Sequence, residues 1–119
     1  MNCLDTYALI EIAKASPSYA GLFNEDFVIT DMTLAEFYWV LLRDYDSDLA
    51  ENWLEKLLPY SQEVKKEILI SAMKYRHENR KQDLSFFDCV GYLFAISKGF
   101  KFVTGDKEFE NKKGVLFIK

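Results

Sequence analysis

The sequence predicts an α/β fold: a mainly parallel sheet of four or five strands, covered by helices on both faces. Two observations carry this. Short runs rich in β-branched and aromatic residues, such as Phe27-Val28-Ile29-Thr30 and Val115-Leu116-Phe117-Ile118, alternate with longer stretches of helical periodicity. The runs are also apolar almost throughout, as strands buried on both faces are.

Taken in order, Met1 to Asp5 reads as a first strand stopping at an acid. Thr6 to Ala15 follows as a helix with Ala8, Leu9, Ile12 and Ala13 at helical spacing. Pro17 breaks the pattern, and Ser18 to Phe23 reads as a short second helix before the polar turn Asn24-Glu25-Asp26. Phe27 to Thr30 is the second strand. Thr33-Leu34-Ala35-Glu36 fits a capping box opening a helix to about Arg43, with Leu34, Phe37, Tyr38, Leu41 and Leu42 inward. After an acidic turn, Asp44 to Asp48, Leu49, Trp53, Leu54 and Leu57 mark another amphipathic helix.

Leu57 to Tyr60 reads as a weaker third strand, placed at an edge by Pro59. Ser61 and Gln62 open a long helix with Val64, Ile68, Leu69, Ala72 and Met73 inward, closed by the basic-leaning run Arg76 to Lys81. Ser85 caps the next helix. From Phe86 to Ile96 nearly every position is apolar, so this helix is buried on most sides, and Gly99 stops it. Phe100 to Val103 is the fourth strand, ended by Thr104-Gly105-Asp106, and Val115 to Ile118 is the last.

Composition bounds the function. The 119 residues form one domain, 1–119, large enough for a real core. Half are apolar, which excludes disorder, yet no run approaches a membrane span and no signal pattern opens the chain. A cytoplasmic, unprocessed protein is the expectation. Cys3 and Cys89 lack CxxC spacing and read as reduced core residues. A net charge of −4 argues against a broadly basic nucleic-acid binder, but not against a nuclease whose acids gather at a metal.

Four acids fall in equivalent places. Asp5 ends the first strand, and Glu36 lies in the first turn of the helix after the second. Asp88 lies in the first turn of the helix that feeds the fourth strand, and Asp106 follows that strand. Each alone is explained by a cap or a turn. A parallel sheet, however, brings all four to its carboxyl edge, where such folds bind ligands. Carboxylates gathered there need cations to stay ionised. Oxygen-only donors without His or Cys select hard ions, Mg²⁺ or Mn²⁺, which leave room for substrate phosphate and water. The matching chemistry is metal-assisted hydrolysis of a phosphodiester.

The stretches Leu4-Asp5-Thr6-Tyr7-Ala8-Leu9-Ile10, Thr33-Leu34-Ala35-Glu36, Leu84-Ser85-Phe86-Phe87-Asp88 and Val103-Thr104-Gly105-Asp106-Lys107-Glu108-Phe109 together resemble the successive motifs of a PIN domain, and the length resembles that of a stand-alone VapC-type toxin. The resemblance implies a three-layer α/β/α sandwich and a metal-dependent ribonuclease. It implies that Asp5, Glu36, Asp88 and Asp106 are the catalytic and metal-binding acids, with Thr104 supporting Asp106 or a water. It implies Mg²⁺ or Mn²⁺ as cofactor, RNA as substrate, a homodimer, and a VapB-type antitoxin lying in an apolar groove among the N-terminal helices. Thr6 reads as a helix cap, and Tyr7 stands where that family often carries Asn or Ser. A PIN-type nuclease of RNA processing without an antitoxin, and a nuclease-dead binding module, are the alternative readings. Arg43, Lys107, Lys112 and Lys113 are the candidate phosphate contacts; His77, the only histidine, is expected to have a surface role.

Overall fold

In the computed structural model, which describes residues 1–119, the first strand (β1, Asn2–Leu4) lies at the centre of the sheet. β2 (Phe27–Thr30) pairs with it on one side and β4 (Lys101–Thr104) on the other. β3 (Ser61–Gln62) and β5 (Val115–Phe117) form the two edges, so the order is β3-β2-β1-β4-β5 with every pairing parallel. The chain builds outward from β1 in one direction and then crosses to the other side. The reversal lies between β1 and β4, and folds of this kind open a crevice at such a switch point.

Alternate strand residues point to opposite faces and feed two cores. Leu4, Phe27, Ile29 and Val103 join one, with Leu9, Phe37, Leu41 and Leu57. Cys3, Val28 and Phe102 join the other, with Cys89, Val90 and Phe94. The first core is covered by α1 (Thr6–Ala13), α2 (Asp31–Asp44) and α3 (Ser47–Leu57), the second by α4 (Lys66–Glu78) and α5 (Phe86–Lys98). The α/β sandwich is therefore as expected, with five strands. Both cysteines are buried and unbridged. No helix is long and apolar enough to cross a membrane.

α5 matches its expectation closely. Ser85 Oγ accepts from the Asp88 amide at 3.0 Å, and Gly99 ends the helix at φ 72°, a left-handed conformation that glycine adopts without a Cβ penalty.

Other elements differ. Ser18 to Phe23 is not a helix but two 3-10 turns, Pro17–Tyr19 and Leu22–Asn24. Leu58–Tyr60 is likewise a 3-10 turn, with Pro59 in its first turn, and the edge strand begins only at Ser61. α4 therefore starts at Lys66, not at Ser61. Met73 and Leu42, both expected to face inward, are 50% and 41% exposed.

Thr30 caps α2, accepting from the Thr33 amide at 3.0 Å, so the helix leaves β2 with no intervening loop. The capping box Thr33–Glu36 is not formed, and Glu36 falls on the second turn instead of the first.

Candidate active site at the carboxyl edge of the sheet

Asp5 follows β1 directly and serves as the N-cap of α1. Its Oδ1 accepts from the Ala8 amide at 2.8 Å, and its own amide donates to the Val103 carbonyl at 3.2 Å. It is only 3% exposed. That burial pushes its carboxyl up to about 8; the Thr104 hydroxyl and the Ala8 amide pull down against it, and the charges of Asp88 and Asp106 add to the rise.

Asp88 occupies the first turn of α5, beside its Ser85 cap. Its carboxyl is pushed up to about 6, by partial burial first, with Ser85 opposing and the charges of Glu36 and Asp106 contributing. Asp88 thus donates its amide to the Ser85 cap and lies within reach of the charges of Glu36 and Asp106. Asp106 follows β4 and caps the 3-10 turn Lys107–Phe109, its Oδ1 accepting from the Glu108 amide at 3.0 Å. Thr104 Oγ1 accepts from the Asp106 amide at 3.1 Å. Buried between two acids, Thr104 orders the turn that presents Asp106.

Glu36 reaches the group from α2 and accepts a hydrogen bond from the Thr6 hydroxyl. The cap of α1 is Asp5, so Thr6 is freed from the role its position suggested. Its partner is 30 residues away in sequence, and no local pattern announces it.

The four acids thus come from four elements to one edge, where Asp88 and Asp106 act on Asp5, and Glu36 and Asp106 act on Asp88. No group of three His, Cys, Asp or Glu side chains is preassembled to hold a metal ion as it stands. Burial first, and the neighbouring charges second, favour the protonated form of Asp5 and Asp88. Their chemistry fits a hard divalent cation: oxygen donors only, crowded, partly desolvated, and poised to lose protons when a positive charge arrives.

A cleft of about 410 Å³ is lined by Tyr7, Asp83, Gly105, Asp106, Lys107, Glu108 and Lys119, and so takes in one of the four acids. Tyr7 is exposed and packs on Gly105. A Cβ there would meet the Tyr7 ring at 2.2 Å and the Ile118 carbonyl at 2.6 Å, so the position requires glycine. Lys107 lies at this cleft. Arg43 does not: it is bound to Asp44 at 2.8 and 2.9 Å and stacks over Trp39, seven residues along α2 from Glu36, about 10 Å along the axis. Lys112 is tied to the Gln82 side chain at 2.9 Å, and Lys113 is exposed.

The sequence profile described as PIN domain matches residues 3–115. No curated protein matches by sequence. Among solved structures, the chain is similar to VapC20 of Mycobacterium tuberculosis, a toxin that cleaves the sarcin–ricin loop (TM-score 0.84, 15% identity, 97% of each chain covered). It is also similar to a toxin–antitoxin complex from Klebsiella pneumoniae (TM-score 0.76, 17% identity, 98% of this chain and 96% of that one). A third is DNA-bound VapBC from Salmonella typhimurium (TM-score 0.76, 19% identity, with the same coverage). At these identities the likeness is one of fold.

Proposed function

This chain belongs to the PIN domain family, and from that premise we propose that it is a divalent-metal-dependent ribonuclease, residues 1–119 acting as one catalytic unit. We further propose that it is the toxin of a VapBC-type pair, held inactive by a VapB-type antitoxin and working as a homodimer. The observation that carries the catalytic reading is that buried Asp5 and partly buried Asp88 lie within reach of the charges of Asp106 and Glu36, at the edge where the strand order reverses. The toxin reading is supported by the fold shared with toxins and toxin–antitoxin complexes along nearly the whole chain. It is supported too by Trp39 and Tyr45, left 55% and 56% exposed on α2 and just past its end.

Asp5, Asp88 and Asp106 are the residues that would hold Mg²⁺ or Mn²⁺, with Glu36 beside them. The cation, when bound, neutralises the substrate phosphate and makes water a stronger nucleophile near neutral pH. The protein's own part is orientation and proton handling. Thr104 fixes the turn that carries Asp106. The Thr6 hydroxyl holds one Glu36 oxygen, leaving the other to accept a proton from the attacking water. Water attacks phosphorus in line as Glu36 takes its proton, the P–O3′ bond breaks, and the leaving 3′-oxygen takes a proton from solvent, so the products carry 5′-phosphate and 3′-hydroxyl ends. No 2′-hydroxyl is needed as nucleophile.

The test is cleavage of an RNA panel with Mn²⁺ or Mg²⁺ against EDTA, by the wild type and by Asp88→Asn. Metal-dependent cleavage with 5′-phosphate products, lost in Asp88→Asn, supports the reading. Equal cleavage in EDTA or by the variant contradicts it. An antitoxin is tested separately, by whether the product of an adjacent small gene binds the chain and stops cleavage.

A further inference from the structure

A cavity of about 830 Å³ contains none of the four acids. It lies between the C-terminal half of α4 and the loop into α5. Ile70, Met73, Lys74 and His77 recur there at helical spacing, a stripe that on most helices faces a core. Here it faces outward, with Ile70 72% and Met73 50% exposed. Arg76 and Arg80 complete the lining with a second group of cations.

We propose that this groove holds the phosphate backbone of single-stranded RNA next to the cleavage site. The proposal rests on the ribonuclease reading for the identity of the polyanion. Three observations point to it. First, charge: in a chain of net charge −4, the groove gathers Lys74, Arg76, His77 and Arg80 against one acid, Asp83. The only ion pairs in the molecule are Lys14–Glu11 and Arg43–Asp44, so Lys74, Arg76 and Arg80 are not neutralised by a carboxylate.

Second, pre-organisation: Arg76 Nε donates to the Leu84 carbonyl at 2.9 Å, and Arg80 donates to the His77 carbonyl at 3.0 Å. Each guanidinium is held by one N–H and keeps its others unused by the protein. Third, continuity: Asp83 lines both this groove and the cleft that holds Asp106 and Tyr7. Ser85, two residues on, caps the helix that carries Asp88. A strand threaded past the acids therefore runs into the groove, with phosphates on the cations and bases against Ile70 and Met73.

The experiment measures binding of a fluorescein-labelled, mixed-sequence single-stranded RNA in EDTA, where cleavage does not interfere. The wild type is compared with Lys74→Glu/Arg80→Glu and with the milder Lys74→Ala/Arg80→Ala; Arg76 is kept because it also ties down Leu84. Loss of two phosphate contacts weakens binding at least tenfold and reduces the slope of log K against log salt by about 1.4. Circular dichroism melting confirms that each variant is folded.

Unchanged affinity and slope in both folded variants overturn the proposal, as does a wild type that binds no RNA. A change in sedimenting mass or in protein-partner binding, with RNA binding intact, overturns it by making the groove a protein interface. The ribonuclease reading fails separately: a wild type that binds RNA through the groove but cleaves none with Mn²⁺ keeps the groove and loses the enzyme.

Discussion

The Thr6 hydroxyl donates to the Glu36 carboxylate, linking the first turn of α1 to the second turn of α2. Glu36 is the one acid of the four not fixed by a helix cap or a strand end, and this bond determines where its charge lies. Removing a hydrogen bond to a charged group costs about 1.5–3 kcal/mol. Thr6→Val should therefore lower kcat by about 10- to 100-fold, and Thr6→Ser should restore most of it. Equal kcat in Thr6→Val and the wild type would show that Glu36 is placed by other means.

The raised carboxyls make metal-free stability depend on pH. Asp5 goes from 3.8 unfolded to about 8 folded, and Asp88 from 3.8 to about 6. The folded chain thus holds more protons than the unfolded chain between these values. Stability from these groups is full below about pH 4 and is lost as pH rises towards 8. Without metal, the melting temperature should fall from pH 5 to pH 8, and Mn²⁺ should restore it at pH 8 more than at pH 5. Asp5→Asn, which has no charge to bury, should melt about 4 °C or more above the wild type at pH 8, where each kcal/mol is worth about that much. Equal melting of the two chains at pH 8 would contradict the burial of a strained charge at Asp5.

Gly105 leaves room for the Tyr7 ring and the Ile118 carbonyl. The carbonyl is backbone and cannot rotate away, so Gly105→Ala should destabilise the chain by about 1–3 kcal/mol, as overpacking does. It should also displace Asp106, the next residue, and lower cleavage more than Thr6→Val does. Chemical denaturation and initial rates measure the two effects; a stable, fully active Gly105→Ala would contradict the close packing.

Much of this was legible in sequence because it is local. Ser85 and Gly99 bound α5 through contacts within a few residues, and apolar runs marked the strands. Asp5 and Asp106 were placed by the parallel sheet alone. What was illegible depends on partners distant in sequence or on competing caps. Thr30 and Thr33 both suit the start of α2. The strand's position in the sheet selects Thr30, and the Thr30 hydroxyl then donates to that of Thr33 at 3.1 Å. The short edge strand is fixed by Ile29 and Thr30 opposite Ser61 and Gln62, a register its own composition does not signal. Met73 has the spacing of a core residue but lies on the rim of a groove, and periodicity cannot tell a buried face from a binding face.

The most direct measurement is anomalous diffraction from crystals soaked in Mn²⁺. A single strong site or a close pair contacting Asp5, Asp88 and Asp106, weakened in Asp88→Asn, is the predicted result. An acid edge that stays empty of metal while the soaked protein still cleaves RNA would contradict the account.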